Sequence, residues 1–214
     1  MVQEPNNNRG KIQYLGKHFV VHGARNGGNN RAAIITTPGF DCWTLNQFCN
    51  NDQATIAFST NNKTTVVSSI YMPYVSEEPP PALLTSNLVS FCERKNWNLI
   101  IGTDANSHHI AWGSTNNNNR GEKLLDFIVS TDLQICNVGN VPTFRNAVRE
   151  EVIDLTLATT QASNKISDWK VNPGNTISDH NRISFRYNTE LEPKNPNSET
   201  LGRLTGTNTK TSSK

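Results

Sequence analysis

The stretch NLIIGTDANSHHIAWGS, residues 98–114, runs from apolar residues directly into an acid, an amide and two histidines. Its short apolar run is typical of a buried β-strand. Catalytic side chains often lie at strand ends, because a rigid element there directs them at solvent. If the strand continues, Asp104 and Asn106 share one face and can serve phosphate chemistry as a proton-transfer group and a hydrogen-bond donor. A turn built on Asp and Asn is an equal alternative.

The sequence on either side of this stretch predicts an α+β fold. Short β-prone runs separated by Gly and Asn predict hairpins before residue 75. Apolar residues at helical spacing predict amphipathic helices near 80–95 and 120–132. Alternating patterns at 151–159 and 182–187 predict further strands.

Composition limits the class of protein but does not decide its function. The chain has 214 residues, of which 35% are hydrophobic, enough for one sizeable core. A net charge of +2 excludes no class of partner, but it is far from that of a histone-like binder, so contact with nucleic acid would depend on a local patch. We predict one folded domain over residues 1–187, followed by a polar, disordered tail or linker over 188–214.

The four cysteines show no metal-binding spacing and favour a reducing compartment, with disulfides left open. The sequence contains no apolar run long enough to cross a membrane and no N-terminal secretory segment. The expected location is therefore the cytosol or the nucleus.

A second polar cluster, Ser178-Asp179-His180, stands directly before the alternating strand RISFRY. A carboxylate and an imidazole delivered together at a strand entrance could hold a divalent metal and contact a phosphoryl oxygen. A polar turn is the alternative. A triad with a nucleophilic serine is disfavoured, because the GxSxG pattern is absent.

Asp154 interrupts the apolar strand VIDLTL, where an unpaired carboxylate is expensive to bury. His180 is its predicted partner, since a carboxylate orients an imidazole and raises its pKa. A solvent-facing acid on an exposed sheet is the alternative.

The remaining histidines are interpreted as structural or solvated residues. His108 and His109 lack the neighbouring ligands that a zinc site requires, so loop histidines are favoured over a metal role. His18 and His22 are interpreted as strand-surface residues.

Five motifs in a fixed order resemble the endonuclease domain of non-LTR retrotransposons, within the exonuclease–endonuclease–phosphatase superfamily of apurinic/apyrimidinic endonucleases and deoxyribonuclease I. In order they are QEP (3–5), SIYMP (69–73), IIGTDANSHHIAWGS (100–114), VIDLTLA (152–158) and ISDHNRISF (177–185). The resemblance runs from Glu4 to about Tyr187. The segments NRGEKLLDFI (119–128) and VPTFRN (141–146) point to the retrotransposon branch.

The resemblance implies a four-layered α/β/β/α sandwich of the deoxyribonuclease I-like type. It also implies nicking of double-stranded DNA that depends on Mg²⁺ or Mn²⁺ and leaves a 3′-hydroxyl primer for reverse transcription. Glu4 and Asp179 match the positions of metal-site acids. In a whole element, a reverse transcriptase domain would follow on the C-terminal side.

Five further residues match catalytic positions of the family. Tyr71 resembles the tyrosine that contacts phosphate, and Asp104 resembles the acid that handles the attacking water or the leaving group. Asn106 resembles the partner amide of that acid. His180 resembles the catalytic histidine, and Asp154 resembles the carboxylate that orients it.

The family pattern also contains an earlier strand with an active-site asparagine, followed by a helix, for which no counterpart precedes Gln3. We therefore expect a domain truncated at its N-terminus, with lowered stability that an added upstream strand would increase. A catalytically impaired DNA-binding remnant is the alternative function. A phosphoinositide phosphatase or an RNA deadenylase is a third, which the SHHIAWGS segment disfavours by resemblance.

Target-site specificity in such endonucleases depends partly on groove width and deformability of the DNA. Candidate contacts are Arg120, Arg145 and the basic, Asn-rich stretch 24–31. For each of them, a solvated loop residue is the favoured interpretation.

Overall fold

The computed structural model describes residues 1–8, 11–12, 19–23, 29–76, 78–174 and 178–189. His18, residues 24–28 of the Asn-rich stretch and the predicted tail from residue 190 lie outside the described residues. The domain boundary at residue 187 therefore stays a prediction.

The strands and helices follow one another along most of the described chain. The strands are β1 (Val2–Gln3), β2 (Asn7–Asn8), β3 (Lys11–Ile12), β4 (Val20–His22), β5 (Ala32–Thr36), β6 (Trp43–Thr44), β7 (Gln53–Thr60), β8 (Lys63–Tyr71), β9 (Asn98–Asp104), β10 (Leu133–Ile135), β11 (Phe144–Arg145), β12 (Glu150–Glu151), β13 (Asp154–Thr159), β14 (Ile166–Asn172) and β15 (Arg182–Tyr187). The helices are α1 (Leu83–Lys95), α2 (Asn119–Val129) and α3 (Thr160–Ser163), and 3₁₀ turns occupy Asn46–Phe48 and Ile110–Trp112.

The centre of the fold is a six-stranded mixed sheet in the order β10-β13-β9-β8-β7-β6. Strands β8 and β9 are parallel, whereas the other neighbours in this sheet are antiparallel. The β7–β8 hairpin closes through Asn61 and Asn62, both at positive φ, a conformation that asparagine adopts more readily than most residues. The parallel pair places the C-terminal ends of β8 and β9 at the same edge of the sheet.

Helices α1 and α2 cover one face of this sheet, as their apolar periodicity predicts. Leu88 and Cys92 of α1 and Leu124 and Ile128 of α2 join the largest buried cluster, which also contains Leu99 of β9. Asn96 ends α1 in the left-handed conformation, and the Asn118 side chain caps the start of α2. The predicted helices are therefore present, each a few residues shorter than predicted.

The opposite face of the sheet packs against a second β layer. The three-stranded sheet β1-β5-β4 contributes Ile34, which packs with Ala54 and Ile56 of β7. The hairpin β14–β15 contributes Phe185 to a cluster around Ile100, which also contains a residue of α3. This layered α+β arrangement is the predicted fold class, and the pairing of β4 with β5 confirms the predicted hairpin.

The longest strand that the sequence did not predict is β14. β14 carries polar residues at most positions, and the bulge next to Asp168, which has φ 54°, interrupts its alternation with β15. A period of two therefore cannot be read from its sequence. Across the described ranges, none of the helices has the length and apolar character needed to span a bilayer.

Candidate active site

Three adjacent strands bring predicted site residues to one edge of the central sheet. Tyr71 ends β8 and Asp104 ends β9, and the parallel register places them opposite each other. Asp154 begins β13 and is the register partner of Asp104 across the antiparallel pair. The three side chains lie close together because the carboxyl ends of the parallel strands β8 and β9 and the amino end of the antiparallel strand β13 meet at this edge.

His180 lies between the two aspartates. Its Nδ1 is 3.0 Å from each carboxylate oxygen of Asp154, and its Nε2 is 3.8 Å from Oδ2 of Asp104. Asp104 and Asp154 are 2% and 8% exposed, whereas His180 is partly exposed. The predicted contact between Asp154 and His180 is therefore present.

The environment raises the pKa values of both Asp104 and His180. Burial, followed by the charge of Asp154, raises the pKa of Asp104 to about 7. Burial alone would lower the pKa of His180, but the hydrogen bond and charge of Asp154, with the charges of Asp104 and Glu4, raise it to about 9. Near neutral pH the cluster thus holds a carboxyl group poised to exchange a proton and an imidazolium next to it.

Glu4 and Tyr71 border the same cluster. Burial, followed by the charge and hydrogen bond of Glu4, raises the pKa of Tyr71 to about 12, so the phenol keeps its proton at neutral pH. Glu4 follows β1 at φ 45°, a strained conformation for a residue with a side chain, and its charge also acts on Asp104 and His180. The structure therefore brings together five residues: Glu4, Tyr71, Asp104, Asp154 and His180.

A turn after β9, and not the alternation of the strand, places Asn106 next to the site. Strand β9 ends at Asp104, so Asp104 and Asn106 do not share a strand face, and the turn that the sequence left equally open is present. Asn106 turns back at φ 45°, and its backbone N–H donates to Oδ1 of Asp104 at 3.2 Å. Its side-chain amide donates to the carbonyl of Met72, beyond the end of β8.

The carboxylates present suit a hard divalent cation. Asp104, Asp154 and His180 each offer one ligand atom within 4.8 Å of the others. The His180 ring is held by Asp154, so the donor set for a cation consists of carboxylate oxygens, which Mg²⁺ and Mn²⁺ prefer. A cation would also relieve the repulsion that raises the pKa of Asp104. Asp179 is exposed and lines the same cleft, and its metal role stays a prediction.

The cleft above these residues is open and has a volume of about 640 Å³. Glu4, Asp104, Asp154, Asp179 and His180 all line it, together with apolar residues of β13 and β15. The chemical groups therefore face a space that an extended substrate can enter.

Comparison with known proteins identifies the family. The model of the endonuclease–reverse transcriptase family matches residues 65–184, more than half of the chain. The chain belongs to this family. Among solved structures, the endonuclease domain of TRAS1, a telomere-specific non-LTR retrotransposon, is 25% identical with a TM-score of 0.69, over 83% of this chain and 84% of that chain.

More distant structures share the fold alone. An endonuclease/exonuclease/phosphatase family protein from Leptotrichia buccalis is 13% identical with a TM-score of 0.51, over 82% of this chain and 74% of that one. AP endonuclease LMAP from Leishmania major is 10% identical with a TM-score of 0.51, over 64% and 54%. No curated protein matches the sequence. The resemblance to non-LTR retrotransposon endonucleases and the deoxyribonuclease I-like fold are thereby confirmed.

Thr143 supports the Asp154–His180 contact from a neighbouring segment, and the sequence analysis did not find it. Its side chain is fully buried, and its Oγ1 accepts the backbone N–H groups of Ile153 and Asp154 at 3.0 and 2.9 Å. Its carbonyl accepts the N–H of Asn181 at 2.7 Å. Thr143 thus fixes the backbone on both sides of the Asp154–His180 contact. A single sequence offers no signal that separates it from an ordinary loop threonine.

Phe144 supports the histidine from the adjacent position. Its backbone forms a β-bridge with His180, and its ring meets the imidazole edge-on at a centroid distance of 5.0 Å. Arg149 covers the Phe144 ring at 5.2 Å. The side chain of Arg145, a candidate DNA contact, is paired with Glu150 on the β11–β12 hairpin.

The SHHIAWGS segment packs against α2 in place of forming a solvated loop. His109 is buried, its Nδ1 accepts the N–H of Ala111, and its Nε2 lies 3.4 Å from Glu122. A Cβ at Gly121 would lie 1.8 Å from the carbonyl oxygen of His108, so only glycine permits this approach. His109 lies in the loop before the 3₁₀ turn, as the favoured interpretation predicts, although its side chain is buried, and the absence of a zinc role stays a prediction.

The interpretation of Arg120 is corrected, whereas His22 lies on strand β4, as the sequence predicts. Arg120 is not a solvated loop residue, because it lies in the first turn of α2 and its guanidinium donates to the carbonyls of Asn106, Tyr74 and Met72. It therefore connects α2 to the ends of β8 and β9. His22 is half-buried, and its ring nitrogens lie 3.1 Å from the hydroxyls of Thr36 and Thr44.

Proposed function

We propose that this chain is a divalent-metal-dependent endonuclease that nicks double-stranded DNA and leaves a 3′-hydroxyl that primes reverse transcription. The observation that carries the proposal is the Asp104–His180–Asp154 arrangement at the mouth of the cleft, with Glu4 and Tyr71 beside it. Membership of the endonuclease–reverse transcriptase family supports it.

Hydrolysis of a phosphodiester requires a group that takes a proton from water and groups that stabilise the negative charge on phosphorus oxygens. Asp104 takes the proton, because a pKa of about 7 makes it a competent base near neutral pH. The water oxygen bonds to phosphorus, the bond from phosphorus to the 3′ oxygen breaks, and that oxygen takes a proton from solvent. The products are a 3′-hydroxyl and a 5′-phosphate.

The other residues bind and orient. The His180 imidazolium stabilises charge on a phosphoryl oxygen, and Asp154 holds it protonated and in place. The protonated phenol of Tyr71, which donates to Glu4 in this structure, turns to donate to the same phosphate when substrate binds. The Asn106 side-chain amide, which Met72 orients, helps to position the phosphate or the water. Glu4 and Asp179 are the proposed ligands of Mg²⁺ or Mn²⁺, which supplies a positive charge that neutralises the phosphate when bound.

The decisive experiment is nicking of a supercoiled plasmid in Mg²⁺ by the wild type and by His180→Ala. We expect open-circle product from the wild type only, and we expect a polymerase to extend the nick without prior removal of a 3′-phosphate. Circular dichroism establishes that both proteins are folded. Equal absence of nicking from both folded proteins would leave the catalytically impaired DNA-binding remnant as the function.

A matched control uses an acid far from the site. Asp168 is an exposed residue of β14, and Asp168→Asn removes one carboxylate, as Asp104→Asn does. We expect Asp168→Asn to retain nicking and Asp104→Asn to lose it. The proposed partners are target DNA and a reverse transcriptase domain, and the proposed compartment is the nucleus, with the cytoplasm as the alternative.

A further inference from the structure

An ion pair between Arg31 and Asp52 lies directly beside Glu4 and Tyr71. The guanidinium Nε and Nη2 of Arg31 donate to the two carboxylate oxygens of Asp52 at 2.6 and 2.7 Å. Two parallel hydrogen bonds of this kind fix both side chains in one orientation. The Arg31 side chain is 40% exposed, so the pair is accessible from solvent and not part of the buried core.

The backbones of the same two residues hold the two site residues. The carbonyl of Arg31 accepts the N–H of Glu4 at 2.7 Å, and the carbonyl of Asp52 accepts the N–H of Tyr71 at 2.8 Å. Arg31 directly precedes β5 of the three-stranded sheet, whereas Asp52 directly precedes β7 of the six-stranded sheet. The ion pair therefore connects the two β layers at the point where each presents a site residue.

The Arg31 side chain also acts on Tyr71 itself. Its guanidinium carbon lies 5.0 Å from the centroid of the Tyr71 ring, within the range of a cation–π contact. The guanidinium restricts the ring from one side, while Glu4 accepts the hydrogen bond of the phenol. Because Asp52 holds the guanidinium, the ring position depends on both members of the pair.

We propose that Arg31 and Asp52 are positioning residues of the active site, which hold Glu4 and Tyr71 in register across the two β layers. The inference rests on the proposed endonuclease function for its catalytic consequence, but its structural consequence is independent of that function. The geometry accounts for the strained φ of Glu4, since the hydrogen bond to the Arg31 carbonyl holds that residue in place.

The first test measures local opening without DNA. Hydrogen exchange of the Glu4 and Tyr71 amides is compared among the wild type, Arg31→Gln, Asp52→Asn and the double variant. We expect faster exchange at both amides in each single variant, and no further increase in the double variant, because one pair accounts for both effects. Exchange at Leu155, in the core of the sheet, should be unchanged. Wild-type exchange at Glu4 and Tyr71 in Arg31→Gln would overturn the proposal.

The second test measures nicking kinetics. Displacing catalytic groups by a fraction of an ångström lowers turnover more than binding, so we expect kcat to fall roughly tenfold in Arg31→Gln and Asp52→Asn, with KM nearly unchanged. Arg31→Lys keeps the charge but loses the paired hydrogen bonds, and should remain impaired. A raised KM at wild-type kcat would overturn the proposal, because it would make Arg31 a direct DNA contact.

The control is the exposed pair between Arg186 and Asp168, which joins β15 to β14 at 3.3 Å. Arg186→Gln and Asp168→Asn should leave kcat and the exchange of Glu4 and Tyr71 unchanged. If the wild type itself does not nick DNA, the endonuclease function fails while the exchange data still decide whether the Arg31–Asp52 pair holds the two residues.

Discussion

Asp104 and Asp154 are register partners on adjacent strands, and their carboxylates share one imidazole. Burial, followed by the charge of Asp154, raises the pKa of Asp104, and the charge of His180 offsets only part of that increase. When both carboxylates are ionised, two negative charges face one imidazolium at the sheet edge. A divalent cation and a phosphate bound together would balance these charges.

The first prediction concerns the stability of Asp104→Asn. The folded-state pKa of Asp104 is raised from 3.8 to about 7, so folding favours the protonated form. The protonated side chain of Asp104 makes its full contribution to the stability of the fold below about pH 4, and this contribution is lost as the pH rises through 7. This difference corresponds to at most about 4 kcal/mol. We expect Asp104→Asn to melt at least about 5 °C above the wild type at pH 8, while losing activity.

Thermal unfolding at pH 4 and pH 8, without metal, checks this sign. The gap between Asp104→Asn and the wild type should grow across that interval, whereas Asp168→Asn should show no such growth. A variant that is less stable than the wild type at pH 8 would mean that the carboxylate of Asp104 stabilises the fold, contrary to its raised pKa.

The second prediction concerns the pH dependence of nicking. Turnover requires Asp104 as a carboxylate and His180 as an imidazolium, so kcat should rise at a pH no higher than about 7, because a bound cation lowers the pKa of Asp104 from that value, and should fall on the alkaline side at a pH no higher than about 9. In Asp154→Asn the negative charge is lost, which lowers the pKa of both remaining groups. The whole bell-shaped profile should therefore move to lower pH, with a reduced maximum.

Nicking rates measured from pH 5 to pH 10 at constant ionic strength and saturating metal test this shift, since the two limbs report the coupled cluster as a unit. Asp168→Asn provides the control profile. An alkaline limb that stays in place in Asp154→Asn would show that Asp154 does not set the protonation of His180.

The sequence predicts those parts of the site in which a local pattern carries a free-energy cost. Asp154 interrupts an apolar strand, and the cost of burying it alone required a partner, which is His180. Contacts between distant segments leave no such pattern: Thr143 supports Asp154, and Arg31 supports Tyr71, through bonds that only the fold creates. For Asn106 the sequence leaves a strand and a turn equally open, and its left-handed backbone shows that the turn forms.

The third prediction tests Thr143. Thr143→Val preserves the shape of the side chain but leaves the N–H groups of Ile153 and Asp154 without their acceptor. Burying unpaired donors should cost about 2 kcal/mol, or a decrease in melting temperature of about 4–8 °C. Thr143→Ser keeps the hydroxyl and should lose less than half as much. Denaturation of the three proteins side by side distinguishes the hydroxyl from the methyl group, because equal losses would assign the effect to packing.

The fourth prediction concerns the metal. A cation that binds only the folded chain raises its melting temperature in proportion to the logarithm of its concentration above the dissociation constant. We expect Mn²⁺ and Mg²⁺ to stabilise the wild type, and Glu4→Gln and Asp179→Asn to need roughly tenfold more metal for the same increase, because each loses a carboxylate ligand. Asp168→Asn is the control for an exposed carboxylate outside the cleft. Unchanged metal dependence in Glu4→Gln would remove Glu4 from the ligand set, and unchanged dependence in Asp179→Asn would remove Asp179 from it.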